Sequence, residues 1–125
     1  MAYYESLKAP ATTQVLIDQT APVGELYFGL EVRVEPLANK SSAVTVTHAL
    51  EHGTLPMPLV AVLLDALREQ IDGGGVYGFP IVNLRLLVTA VDYHEESSTE
   101  AAIRSAAASI FRRLLESADF VLIET

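Results

Sequence analysis

The sequence lacks the residue types and segments on which several protein classes depend. It has no cysteine among its 125 residues, which excludes disulfides and thiol chemistry and is typical of a cytosolic chain. No apolar run is long enough to span a bilayer. The N-terminal segment Met1–Pro10 has neither the basic start nor the apolar centre of a signal peptide. We therefore expect a cytoplasmic protein without a membrane partner.

Basic residues are scarce. The chain has eight Lys and Arg against sixteen Asp and Glu, which gives a formal net charge of −8. Phosphate groups repel such a chain, so any RNA contact must be local and short, or must come from neighbouring parts of a larger protein. The charge argues against a free-standing RNA binder, and DNA is not an expected partner.

What the sequence has in abundance is patterned apolar residues. Half of the chain is hydrophobic, and this length predicts one domain, 1–125, with a substantial core. Residues Leu26–Glu35 alternate strictly between apolar and polar side chains, which predicts a strand with one face toward the core. The other predicted strands are Ala2–Leu7, Thr13–Gln19, a strand carrying Val44 and Val46 after a polar turn at Asn39–Ser42, Pro80–Val91 and Val121–Glu124.

Two helices are predicted from apolar residues spaced three and four apart. The first spans Pro56–Ile71 and ends at the glycine run Gly73–Gly75. The second begins with a capping box, in which Ser97 and Glu100 satisfy each other's backbone amides. Strands followed by helix, strand, helix and strand predict an α+β sandwich with both helices on one sheet face. The expected helical core positions are Val60, Leu63, Leu64, Leu67 and Ile71, then Ile103, Ala106, Ala107, Ile110, Phe111, Leu114, Leu115 and Ala118.

Three segments contain residue types found in binding or catalytic sites, and two of them have simple structural explanations. The run Gly73–Gly75 lacks the Lys and Ser/Thr of a phosphate loop and follows a helix, whereas phosphate loops precede one. His48 and His52 are four residues apart, but Gly53 and Pro56 argue against a helix and no third ligand is placed. We interpret them as exposed loop histidines and expect no metal.

The polar loop around His94 is the remaining candidate. Its acids, hydroxyls and imidazole are consecutive in sequence, and consecutive residues seldom converge as a hydrolytic site does. Acids there also stabilise a helix N-terminus. Tyr93 and His94, in contrast, are planar and partly polar groups of the kind that stack on unpaired bases.

Seven segments in order resemble domain IV of bacterial elongation factor G and of the related tetracycline-resistance ribosomal protection proteins. The family's G-Y-P-V-V-D, Y-H-E and S-S-E-x-A motifs correspond to segments on either side of and within the polar loop. Its A-Y-R-E-T, R-V-E-P-L, G-x-I-P and L-L-E-P motifs also have counterparts. In this chain the segments are Ala2–Ser6, Arg33–Leu37, Gly53–Pro56, Gly78–Asn83, Tyr93–Glu95, Glu96–Ile103 and Val121–Glu124.

The resemblance implies a two-layer domain, mainly antiparallel, with a left-handed β-α-β crossover and two helices on one face. It also implies a lever, excised from a longer translational GTPase, whose tip loops reach small-subunit RNA near the aminoacyl site and the messenger–transfer RNA pair. GTP and Mg would bind the parent's G domain, and this chain would carry no cofactor and no catalytic residue. By matching position, the principal tip loop is Asp92, Tyr93, His94, Glu95, Glu96, Ser97 and Ser98, and the second tip loop is Ala21, Pro22, Val23, Gly24 and Glu25.

Departures from the family pattern leave the role open. The second tip loop lacks the family's Arg, Gln and His, the principal loop lacks its Asp-Gly, and Glu96 adds negative charge. Less basic tips bind ribosomal RNA less well. An elongation factor, a tetracycline-protection protein and a divergent paralogue all remain possible. The alternatives from other classes are a free-standing protein-interaction module on the same fold, and a small hydrolase or metal enzyme built on His94 or on His48 and His52.

Overall fold

A computed structural model describes residues 2–22, 24–37 and 42–124 of the chain. Val23 of the second tip loop and most of the predicted Asn39–Ser42 turn lie outside these residues. The described residues form six strands and two helices in the order β1 (Tyr3–Leu7), β2 (Ala11–Ala21), β3 (Gly24–Pro36), β4 (Val44–His48), α1 (Met57–Asp72), β5 (Leu84–Asp92), α2 (Glu100–Ser117) and β6 (Phe120–Glu124).

The main sheet has the strand order β2-β3-β5-β4 among the described residues. Strands β2 and β3 form a long antiparallel hairpin whose last pair is Ala21 with Gly24, and β3 is antiparallel to β5. Strands β4 and β5 are parallel, and α1 joins them, as in a β-α-β unit. The hairpin turn and the end of β5 at Asp92 therefore lie at the same end of the sheet, which we call the tip end.

The strands at the two chain ends form a separate two-stranded sheet. Strand β1 pairs antiparallel with β6, from Tyr3 opposite Glu124 to Leu7 opposite Phe120. The prediction of a single sheet was therefore incomplete. The small sheet joins the rest through Glu5, whose backbone accepts from Val82 and donates to the carbonyl of Pro80.

One face of the main sheet is covered by the helices, which confirms the predicted α+β two-layer class. Helix α2 lies against β2 and β3, and α1 lies against α2 and β4. The alternation in β3 is confirmed, since Phe28, Leu30 and Val32 are buried. Both helices bury the predicted stripes, except that Leu64, Leu115 and Ala118 are only partly buried while Ala66 and Ala102 are fully buried. Among the residues described, neither helix is long and apolar enough to cross a membrane.

The predicted strand Pro80–Val91 begins four residues too early, ends one residue before the observed end at Asp92, and did not anticipate a bulge. Asn83 has a φ of 55°, which interrupts the extended backbone, so β5 begins at Leu84. Near the other end, the register shifts so that Val32 lies opposite Val88 but Glu31 lies opposite Ala90. A bulge of this kind reverses the facing of the residues beyond it. Ala90 is consequently exposed, although strict alternation after the buried Leu84, Leu86 and Val88 would place it in the core.

The second helix begins two residues later than predicted. Thr99 is its N-cap, and the Thr99 hydroxyl accepts from the amide of Ala102 at 3.3 Å. The predicted capping box at Ser97 and Glu100 is therefore wrong, because Ser97 lies in the turn before the cap. The first helix ends as predicted, with the Gly73 amide donating to the carbonyl of Gln70.

Candidate ribosome-facing tip

The two predicted tip loops meet at the tip end of the main sheet. The Tyr27 amide, three residues beyond the hairpin turn, donates to the carbonyl of Ser97 at 3.0 Å. Glu25 of the second loop lines one surface depression together with residues of the principal loop, namely His94, Glu95, Glu96 and Ser97. Pro22 lies in the hairpin turn, and Gly24, the first residue of β3, has a φ of 125° that favours glycine.

A buried hydroxyl holds the two loops together. Ser98 is 3% exposed, and its Oγ donates to the carbonyl of Tyr27 at 2.5 Å while accepting from the amide of His94 at 2.9 Å. Because Ser98 also ends the turn in which its amide donates to the His94 carbonyl, the backbone of the principal loop is fixed beside β3. Sequence reasoning placed Ser98 in the tip loop but did not assign it this role.

The stacked aromatic pair at the tip consists of Tyr27, which is half-buried, and His94, which is exposed. Their rings are stacked with centroids 3.8 Å apart and an interplanar angle of 4°. Tyr93, the ring that the sequence paired with His94, is partly buried and lies against the hydrophobic core. Tyr27 was missed because it occupies the polar face of β3, but a large aromatic residue on that face was itself a signal.

Asp92 completes a four-residue tip cluster, which we define as Tyr27, Asp92, His94 and Ser98. The Tyr27 hydroxyl donates to Asp92 Oδ2 at 2.5 Å, and Asp92 Oδ1 lies 3.7 Å from His94 Nε2. Gly29 lies opposite Asp92 in the sheet, and a Cβ at position 29 would come within 2.8 Å of the Asp92 Cβ. Glycine at this position therefore leaves the room that Asp92 needs beside Tyr27.

Asp92 also controls the ionisation of Tyr27. The hydrogen bond to Asp92 raises the pKa of Tyr27 above its ordinary value, and desolvation and the negative charges of Asp92 and Asp18 act in the same direction. Tyr27 consequently remains a neutral hydroxyl donor well beyond physiological pH. The phenol keeps its bond to the carboxylate, and the ring keeps its place on His94.

The two tip segments, Ala9–Val32 and Leu86–Ile103, are rich in acidic residues. No Lys or Arg occurs from Ala9 to Val32 or from Leu86 to Ile103, whereas these segments contain Asp18, Glu25, Glu31, Asp92, Glu95, Glu96 and Glu100. In α2, Arg104 is engaged by Glu100 and Glu69, each at 3.3 Å, and Arg113, which donates to the Gln14 carbonyl, lines a depression that Asp92 also lines. Such a surface disfavours phosphate and leaves stacking and hydrogen bonding as its means of recognition.

The other candidate residues do not form a site in the described part of the chain. His48 ends strand β4, is partly buried, and accepts from the amide of Leu50 through Nδ1 at 3.1 Å. The prediction of an exposed loop histidine is therefore wrong for His48, although His52 is exposed in a turn. No group of three or more His, Cys, Asp or Glu residues is arranged to hold a metal ion in residues 2–22, 24–37 and 42–124.

Comparison with known proteins identifies the family. The model of the family described as elongation factor G, domain IV, matches residues 1–119. The chain belongs to this family. It is 30% identical over 126 residues to elongation factor G of Petrotoga mobilis, and 23% identical over 124 residues to elongation factor G 2 of Desulfotalea psychrophila. Each match covers 99% of this chain and 18% of the relative, so the chain spans less than a fifth of those proteins.

A solved structure shows the same fold. The crystal structure of a protein from Thermus thermophilus superposes with a TM-score of 0.78 at 23% sequence identity, over 96% of this chain and 18% of that one. The predicted resemblance to elongation factor G domain IV is thus confirmed in sequence and in fold. The roles of individual tip residues stay predictions.

Proposed function

We propose that this chain is the ribosome-facing lever domain of an elongation factor G-like translational GTPase. Its tip loops enter the decoding-site region of the small subunit, near the messenger–transfer RNA pair, and promote translocation or displace tetracycline. In this proposal the domain itself is not catalytic. GTP and Mg bind the G domain of the parent protein, and the whole protein acts on cytoplasmic ribosomes.

The observation that carries the proposal is the meeting of two separate loops at one end of a domain of this family. The hairpin turn of β2 and β3 and the loop after β5 are far apart in sequence. They are nevertheless joined at the tip by the Tyr27–Ser97 backbone bond and by the Ser98 hydroxyl. A tip whose loops are tied together presents a single rigid surface, as insertion into a confined RNA site requires.

The acidic tip supports a second candidate function. With no Lys or Arg in either tip segment, RNA phosphates would be repelled, and a protein partner with basic side chains would be attracted. The alternative is therefore a protein-interaction module that uses this fold and an acidic tip.

Translocation by the parent protein tests the lever assignment. We would replace His94 with Ala in the full-length GTPase and follow the one-codon movement of messenger RNA by toeprinting, with release of labelled tetracycline from ribosomes as a parallel assay. Loss of one good tip contact is expected to slow one of these activities about tenfold, equivalent to about 1.4 kcal/mol, while ribosome-stimulated GTP hydrolysis is retained. Glu116→Ala, an exposed site near the other end of α2, is the matched control.

The two assays distinguish the candidates. A selective loss in toeprinting indicates an elongation factor, and a selective loss in tetracycline release indicates a protection protein. If His94→Ala matches wild type in both assays, the tip assignment is wrong. Failure of the full-length wild type to cosediment with ribosomes would favour the protein-interaction module instead.

A further inference from the structure

The face of the His94 ring that Tyr27 does not cover is open. Tyr27 lies parallel to the imidazole at 3.8 Å, so it occupies one face, and yet the His94 side chain is 54% exposed. Because Tyr27 covers one face, the exposed area lies on the rest of the side chain, which lines a surface depression with Glu25, Glu95 and Glu96. A planar group that approached from solvent would extend the existing stack to three layers.

Hydrogen bonds from Tyr27 to Ser97 and Asp92, and to Tyr27 from Ser98, hold the orientation of this open face. Ser98 fixes the backbone of both ring-bearing residues, and the Tyr27 amide donates to Ser97. The Tyr27 hydroxyl bonds Asp92, whose other oxygen lies near His94 Nε2. Neither ring can rotate without breaking a hydrogen bond or the stack, so the imidazole is positioned before any ligand arrives.

Charge decides what kind of ligand this face can take. Asp92, Glu25, Glu95 and Glu96 lie in the two tip segments, which contain no Lys or Arg, although Arg113 of α2 lines a depression on the Asp92 side. Phosphate would be repelled at the tip, whereas a nucleobase presents an uncharged planar face. Base–aromatic stacking is tolerant of sequence and works on unpaired bases, which are accessible in RNA loops.

We propose that Tyr27 is a positioning residue that, with Asp92, holds the His94 imidazole as a platform for one unpaired RNA base. This inference rests on the proposed function, since it names the chemical group that the tip would contact. Tyr27 acts through His94, and His94 makes the contact. The resulting contact is made to a base and depends little on the sugar–phosphate backbone.

The positioning role is tested first without any ligand. The imidazole proton resonances of His94 should carry an upfield ring-current shift from Tyr27 in the NMR spectrum of the 125-residue chain. Tyr27→Leu should abolish that shift, and Tyr27→Phe should retain it because the ring remains. Tyr77→Leu, at an exposed tyrosine in the loop between α1 and β5, is the control and should leave the His94 resonances unchanged.

Binding is then measured with a defined probe. An RNA hairpin carrying one unpaired 2-aminopurine in its loop is titrated with the chain, and the quenching of the base on stacking is recorded at low and at moderate salt, about 50 and 200 mM. His94→Ala and Tyr27→Leu should each weaken binding roughly 5- to 150-fold, the range for loss of one base–aromatic stack. Tyr77→Leu should bind as wild type does, and affinity should change little with salt.

Three results would overturn the proposal. The first is a wild-type chain that leaves the probe fluorescence unquenched, and the second is an affinity for the hairpin that falls steeply as salt rises. The third is that Tyr27→Leu shifts the His94 resonances and yet binds the hairpin as tightly as wild type does. Tyr27→Phe guards against misfolding, since it keeps the ring and loses only the hydroxyl bond to Asp92, and it should bind more tightly than Tyr27→Leu. The translocation assay distinguishes failure of this inference from failure of the proposed function. If His94→Ala slows translocation by the full-length protein and Tyr27→Leu does not, the proposed function stands and the positioning role of Tyr27 is wrong.

Discussion

Replacing Glu5 with Ala should destabilise the domain more than any ordinary surface change. Glu5 is fully buried, and its Oε2 accepts from the amides of Tyr77 and Phe79, each at 3.0 Å. These bonds connect β1 with the loop between α1 and β5, across 72 and 74 residues of sequence. Without the carboxylate, both amides lose their acceptor.

The magnitude follows from those two amides. A buried donor left without an acceptor costs about 1–3 kcal/mol, so the two together would cost about 2–6 kcal/mol. An offset exists, because Glu5 Oε1 has no hydrogen-bond partner among the described residues and its desolvation cost disappears with the carboxylate. We therefore expect a loss of about 2–3 kcal/mol in the free energy of unfolding. With about 2.1 cal/mol/K of unfolding entropy per residue, the Tm should fall by roughly 8–11 °C.

Gly75 provides a sharper test of the same contact. A Cβ at position 75 would overlap the carboxylate of Glu5, so Gly75→Ala should cost about 1–3 kcal/mol in the wild-type background. In the Glu5→Ala background the overlap is gone, and the same change should be nearly neutral. Coupling between the two sites should therefore be about 1 kcal/mol or more.

Urea denaturation and thermal unfolding of the wild type, the two single variants and the double variant at neutral pH would measure these differences. Glu116→Ala is an exposed control, and its free energy of unfolding should stay within about 0.5 kcal/mol of wild type. Additive effects of Glu5→Ala and Gly75→Ala would refute the contact, as would a Glu5→Ala chain as stable as the control. A smaller loss for Glu5→Gln would support the reasoning, since its amide oxygen can still accept.

Three further changes test the tip and the helix packing. Asp92→Asn should lower the pKa of Tyr27 toward its ordinary value, because the carboxylate that favours the neutral phenol is lost; ultraviolet titration against Tyr27→Phe would detect this, and an unchanged Tyr27 titration would contradict it. Thr99→Ala should cost about 1 kcal/mol through loss of the helix cap, whereas Ser97→Ala should be nearly neutral in urea unfolding; the reverse order would restore the capping box. Ile110→Ala, at a fully buried position in α2, should cost about 2–5 kcal/mol, and unchanged thermal unfolding would contradict the packing.

Local patterns were sufficient for most of the fold. The alternation through Phe28, Leu30 and Val32 fixed which face of β3 is buried, because side chains on a strand alternate between its two faces. The stripe through Ile103 and Ile110 likewise fixed the buried face of α2. Such patterns depend only on residues that are close together in sequence, which is why one sequence predicts them.

The features that were missed depend on residues that are far apart in sequence. The bulge near Thr89 follows from the register with β3, where the Thr89 hydroxyl bonds both the carbonyl and the side chain of Glu31. The separate sheet follows from pairing between the two ends of the chain. Tyr27 was predicted to face solvent, because no residue near it in sequence indicates that the His94 ring stacks on it. The presence of a polar loop between β5 and α2 could thus be predicted from sequence, and its internal geometry could not.

A lever transmits motion only if its two ends are rigidly connected, and this domain ties both ends by the same means. At the tip, Ser98 bonds the Tyr27 carbonyl across 71 residues of sequence, and at the base, Glu5 bonds two amides that are 72 and 74 residues away. Strand β5, which is nine residues or roughly 30 Å long, extends between these two sets of hydrogen bonds. In each case a buried side chain satisfies backbone groups of a loop, so the loop cannot move without exposing unpaired polar groups. If the domain acts as a lever, weakening the Glu5 tie should reduce translocation without altering any group that touches RNA.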